Sequence, residues 1–173
     1  MSDTAAQQAL RVRQGAGARY DALSAPAGDL LLARRGTAYF ARLLNGLRDE
    51  DLTPQRRQVI ARVSLQARAM ALAVKHLRAP LNEEETDWHP DPEMTVTLPA
   101  HALRYLFDHA QIHLNVEWRD TRDADWYGTV VFPGWIDAPA RQVPLIRARA
   151  IWHAALELGA GGKAQDLPEG LQP

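Results

Sequence analysis

The stretch that most constrains this chain is 147–162, RARAIWHAALELGAGG. At about 100° per residue, a helix here spreads Leu145, Ala148, Ile151, Trp152, Ala154, Ala155, Leu156 and Leu158 over most of its circumference. Arg149, His153 and Glu157 recur at i, i+4, i+8 as one narrow polar ridge. A helix apolar on so many sides must be covered by other elements on more than one side. Gly159, Gly161 and Gly162 stop it, as glycine does just past a C-terminus.

Elements able to cover it lie upstream. Residues 30–47 carry Leu32, Tyr39, Phe40, Leu43, Leu44 and Leu47 at helical spacing, with Asp29 as cap. Leu52-Thr53-Pro54 restarts the chain, with Thr as N-cap and Pro in the first turn. The second helix then runs to about residue 78 on Val59, Val63, Ala67, Met70, Val74 and Leu77. Residues 81–99 hold three consecutive acids and three prolines, and read as a loop. A third helix, 100–119, buries Leu103, Leu106, Phe107, Ala110, Leu114 and Trp118. Residues 127–132 are β-branched and aromatic, Pro133-Gly134 is a turn, and 135–137 is the return strand of a small hairpin. The fourth helix covers 140–158. The fold class is therefore all-α: an antiparallel four-helix bundle, up-down-up-down, with a β-hairpin before the last helix. Residues 1–28 are a leader with a short helix at 4–14, 29–159 the bundle domain, and 160–173 a flexible tail.

The totals exclude several functions. A net charge of −1 gives no electrostatic reason to bind nucleic acid or an acidic membrane. Without cysteine there is no disulfide, thiolate metal site or cysteine nucleophile. No apolar run is long enough to span a bilayer. The opening MSDTAAQQALRVRQ lacks the apolar region of a secretory signal, so the expected location is the cytoplasm.

RARAIWHAALELG resembles the last bundle helix of the mycothiol-dependent maleylpyruvate isomerases, a branch of the DinB-like four-helix metalloproteins. That helix reads R-x-R-E-x-W-x-H-x-x-D-L-G; Arg147, Arg149, Trp152, Leu158 and Gly159 match it, with Glu157 in place of Asp. LARRGTAYF, RRQVIARVSLQARAM and HALRYLFDHAQIHLNVEWRD are similar to its first three helices, so the resemblance covers 30–159. It implies a divalent-metal site with one ligand on the second helix and two on the fourth. Those positions fall on Arg62, Ala150 and Ala154, none of which is an ordinary zinc donor, so no metal is expected. A one-residue slip would put His153 in place of a ligand, but His153 lies on the polar ridge.

What remains is a candidate anion site. Arg62 stands where the metal's charge would be, and a guanidinium can hold a carboxylate or enolate through two donors. The expectation is that Arg62 points between helices two and four, into space freed by Ala150 and Ala154, with Tyr39, Gln66 and His153 as further ligand-binding candidates. His109 and His113, at i, i+4, are the other catalytic candidates; a metal held there would need a carboxylate such as Asp108 or Asp120, and the plainer reading is a boundary pair. The Arg149–His153–Glu157 ridge is a solvated face before it is a proton relay. The acidic run 83–91 is a solvated loop before it is a metal site. His101 and His76 read as structural or solvated. By resemblance, the function is that of a metal-independent isomerase or cyclase acting on a small unsaturated acidic metabolite, with a thiol such as mycothiol as the conceivable cofactor. The alternative is a non-catalytic ligand-binding or homodimerising bundle.

Overall fold

In a computed structural model the described residues are 20–172 together with Ala5 and Gln8. The leader helix expected at 4–14 lies outside them apart from those two positions. Four long helices dominate: α1 (Ala27–Asn45), α2 (Pro54–Lys75), α3 (Ala100–Asp120) and α4 (Val143–Glu157). The hairpin pairs β1 (Thr129–Phe132) antiparallel with β2 (Ile136–Pro139), with Phe132 opposite Ile136. Thr53 caps α2 through the Arg56 amide, and Pro54 is its first residue, as the restart signal requires. Asp29 sits inside the first turn of α1 instead of capping it.

The bundle and its hairpin are as expected, but the helix directions run up-down-down-up. Arg56, at the start of α2, donates to the carbonyls of Asp51, Leu158 and Gly159, which brings the C-terminal ends of α1 and α4 together. Arg141, just before α4, donates to the Ser24 carbonyl near the start of α1. Helices α1 and α4 are therefore parallel. Arg57 reaches the Leu98 carbonyl, and Arg78 reaches Glu117, so α2 and α3 are parallel as well. The reason is the long second connection. A 21-residue helix is about 31 Å long, and residues 76–99 are enough chain to run back along it before α3 begins.

That connection is not a plain loop. Asn82 and Glu85 form a capping box that starts the turn Glu83–Asp87, and Asp91 caps Pro92–Thr95 through the Met94 amide. The tail also departs from expectation. Leu167 and Leu171 are 3% and 5% exposed and join the core, Tyr39 Oη donates to Asp166 at 2.6 Å, and His153 Nε2 lies 3.1 Å from the Leu171 carbonyl. Two leucines four residues apart have enough apolar area to hold a short segment down.

The pairing α1–α4 is close. A Cβ on Gly36 would come within 2.7 Å of Ile151 and Trp152, so glycine lets the helices touch. Trp152 Nε1 then reaches the Leu32 carbonyl at 3.0 Å. Phe40 and Phe107, with ring centroids 5.1 Å apart, bridge α1 and α3 in the core. No helix among the described residues is long and apolar enough to cross a membrane.

Candidate functional site

Arg147 is the largest charged side chain in the core, with 1% of its surface exposed. Helical geometry puts it there. Ile151, Ala154 and Leu158 follow it at i+4, i+7 and i+11, all buried, so residue 147 belongs to the same face. Its Nη1 donates to the Val63 carbonyl at 2.7 Å and to Gln66 Oε1 at 2.9 Å. Its Nε and Nη2 are buried and have no hydrogen-bond partner among the described residues. These two nitrogens share one edge of the guanidinium, the edge that receives a carboxylate side-on. Burial pushes the group down to about 10, well below the ordinary guanidinium range, with no carboxylate partner among the described residues to oppose it.

Arg147 forms part of the wall of a cavity of about 370 Å³ between α1, α3 and α4. The apolar part of the wall comes from Ala38, Ala41, Leu114 and Trp118, and the polar part from Thr37, Gln111, Asn115 and Arg34. The Trp118 indole N–H is a further buried donor without an acceptor. Arg34 is occupied. Its Nη1 and Nη2 donate to the two carboxylate oxygens of Asp21 at 2.6 and 2.7 Å, and its Nε to Asn115 Oδ1 at 2.7 Å. The cavity therefore combines amide groups and an apolar wall with a buried cation, whose unpartnered Nε and Nη2 are themselves closed to solvent.

The expected site residues do not converge. Arg62 is exposed, not interior: it lies at the edge of the α2 face and pairs with Glu157 across to α4 at 2.8 Å, with 52% and 49% of the two side chains in solvent. Glu157, not a ligand, is its partner. Ala154 is fully buried in the core and Ala150 half-buried. His153 is exposed, and the ridge it shares with Arg149 and Glu157 is solvated. Tyr39 stacks on Trp152 and belongs to an outer cleft with Arg42 and Asp166, away from Arg147. Gln66 alone among these candidates touches the buried guanidinium.

His109 and His113 do not converge either. Their ring centroids are 6.5 Å apart; His109 stacks on Tyr105, while His113 Nε2 lies 3.2 Å from Glu117 Oε1. Glu117 is buried and also pairs with Arg78. Burial pushes the Glu117 carboxyl up, but the hydrogen bonds from His113 and Arg78 outweigh it and leave the group below the usual carboxylate range. Among the described residues no three His, Cys, Asp or Glu side chains are grouped to hold a metal, the acidic turn 83–91 included. The positions that the resemblance assigns to metal ligands carry Arg62, Ala150 and Ala154, so the residues present do not fit that metal.

Two solved structures resemble this one over 83% of its length at 26% identity: the mycothiol-dependent maleylpyruvate isomerase, with a TM-score of 0.70, and its His→Ala mutant, with 0.71. The chain has the isomerase's fold. It spans 65% of the length of those isomerase chains. No family model matches the sequence, and no curated protein matches it. Sequence reasoning placed the charge on Arg62 by following the ligand positions of the resemblance. The signal that identifies Arg147 is simpler: a basic residue in register with Ile151, Ala154 and Leu158 on an apolar face.

Proposed function

We propose that the protein binds a small unsaturated carboxylic acid in the cavity beside Arg147 and acts on it in the manner of an isomerase. The observation that carries this reading is the Arg147 guanidinium, fully buried, with its Nε–Nη2 edge unused. A buried cation held by neutral acceptors is costly in an empty site. A carboxylate on that edge supplies two charge-assisted hydrogen bonds and the missing counter-charge. Charge that develops on the acid's carboxyl end as its double bond is disturbed is stabilised by the same donors, without a metal. This cysteine-free chain has no thiol of its own, so in a thiol-assisted route a low-molecular-weight thiol supplies the nucleophile. The chain's part is to fix the acid's carboxylate and exclude water along the Ala38–Leu114–Trp118 wall.

One observation favours a second reading, a non-catalytic acid-binding bundle. The residues lining the cavity include no carboxylate and no imidazole, hence no ordinary general base. A single experiment separates the two. Maleamate, a cis-unsaturated acid with one carboxylate, is incubated with the protein and N-acetylcysteine and followed by proton NMR. Conversion to fumaramate that disappears in Arg147→Met supports the enzyme. Binding without conversion supports the second reading. Absence of Arg147-dependent binding overturns both.

A further inference from the structure

We infer that Gln66 is the positioning residue of this site: its neutral side-chain oxygen holds the Arg147 guanidinium in place without cancelling the charge that draws an acid. The inference rests on the functional reading above and adds a second residue to it. Arginine has five N–H donors and no acceptor, so the Gln66 amide must present its oxygen to Nη1. That oxygen accepts at 2.9 Å, and the Val63 carbonyl, on the same turn of α2, accepts from the same nitrogen at 2.7 Å. Both hydrogens of Nη1 are thereby used, which fixes the plane of the group and leaves Nε and Nη2 as its unpartnered side. Both acceptors are neutral. No carboxylate among the described residues opposes the burial that draws the group down to about 10. Arg62, one turn earlier on α2, is itself a cation and is taken by Glu157. Position 66 is therefore where a counter-charge is most easily placed. Glutamate has the shape of glutamine, and its carboxylate would form a charge-assisted bond to Nη1. A ligand carboxylate arriving at the neighbouring Nε–Nη2 side would then meet a like charge. Gln66 keeps the hydrogen bond and withholds that charge.

Gln66→Glu and Gln66→Met, each in the full chain at neutral pH, test this by calorimetric titration with fumaramate and by scanning calorimetry without it. Only binding that Arg147→Met abolishes is counted. Gln66→Glu is expected to weaken fumaramate binding at least about a hundredfold, as an opposing like charge does. It is also expected to raise the Tm of the free protein by about 2 °C or more, because a buried cation gains its partner. Gln66→Met keeps the charge of the site and loses one hydrogen bond, so its Tm should fall and its affinity should weaken by less than about tenfold. Affinity and stability thus move in opposite directions in Gln66→Glu, which a residue that merely supports the fold does not produce. Loss of both together in the two variants overturns the inference. So does a Gln66→Glu protein that fails to fold, or one that binds fumaramate as the wild type does, and in either case Arg147-dependent binding by the wild type leaves the acid site standing. Wild-type protein without such binding removes the functional reading itself, and the role of Gln66 with it.

Discussion

Replacing Arg147 by Met should leave the free protein as stable as the wild type or slightly more so, while removing its response to carboxylates. The magnitude follows from the structure. Burial pulls the guanidinium from its ordinary range down to about 10, and at 1.36 kcal/mol per unit this is a cost on the order of 3 kcal/mol to keep it charged inside the fold. The sign is that of a cation whose folded value is depressed: the cost is fully present below about 10 and fades as pH rises beyond it towards the ordinary guanidinium value. Methionine removes that cost and fills most of the volume. It also gives up the hydrogen bonds to Val63 O and Gln66 Oε1. The Val63 carbonyl lies inside α2 and Gln66 is half-buried, so the loss is about 1 kcal/mol each. The balance is a gain of about 1 kcal/mol, or a Tm higher by about 2–4 °C for a chain of this size. Saturating fumaramate at about a hundredfold over its Kd should raise the wild-type Tm through about 2.7 kcal/mol of linkage, and the variant's not at all. Scanning calorimetry with and without the acid reads both numbers. A Tm several degrees lower in Arg147→Met would refute the reasoning, because the guanidinium would then be a net structural support and not a group awaiting a partner.

Other perturbations probe the frame around the site. Gly36→Ala should lower stability by about 1–3 kcal/mol in urea denaturation, since the added methyl meets Ile151 and Trp152 at 2.7 Å. Leu167→Ala should cost about 2 kcal/mol in the same assay, which a detached tail would not show. Arg62→Ala should change stability by less than about 1 kcal/mol and leave acid binding intact, because the Arg62–Glu157 pair is half in solvent. Glu117 stabilises the fold above its ordinary carboxylate value of 4.5, and this contribution is lost as pH falls through its depressed folded value. Glu117→Gln should therefore flatten the acid limb of a stability–pH profile.

The helices were legible because their apolar residues keep a period of 3.6 and their starts carry recognisable caps, Thr53-Pro54 above all. Helix direction was not legible, since it depends on the path of residues 76–99 and not on any periodicity within a helix. The turns at 83–87 and 92–95 were hidden by counting acids and prolines as loop formers. The capping pairs Asn82–Glu85 and Asp91–Met94 were the better signal. The placement of Arg62 was not legible for a related reason. Arg62 drew attention by occupying a metal-ligand position of similar proteins, yet it lies where α2 turns towards solvent. Arg147 was counted with a matching motif and not with the buried face that its spacing to Ile151, Ala154 and Leu158 gives it.

The central claim is that the Nε–Nη2 edge of Arg147 is a carboxylate site. A crystal structure of the full chain soaked with fumaramate tests it most directly. The account predicts the acid's carboxylate within about 3 Å of Nε and Nη2, its amide turned towards Gln111 or Asn115, and the Arg34–Asp21 pair undisturbed. Fumaramate bound only on the outer surface, at Arg62 or in the cleft beside Arg42, with the Arg147 cavity free of it, would contradict the account.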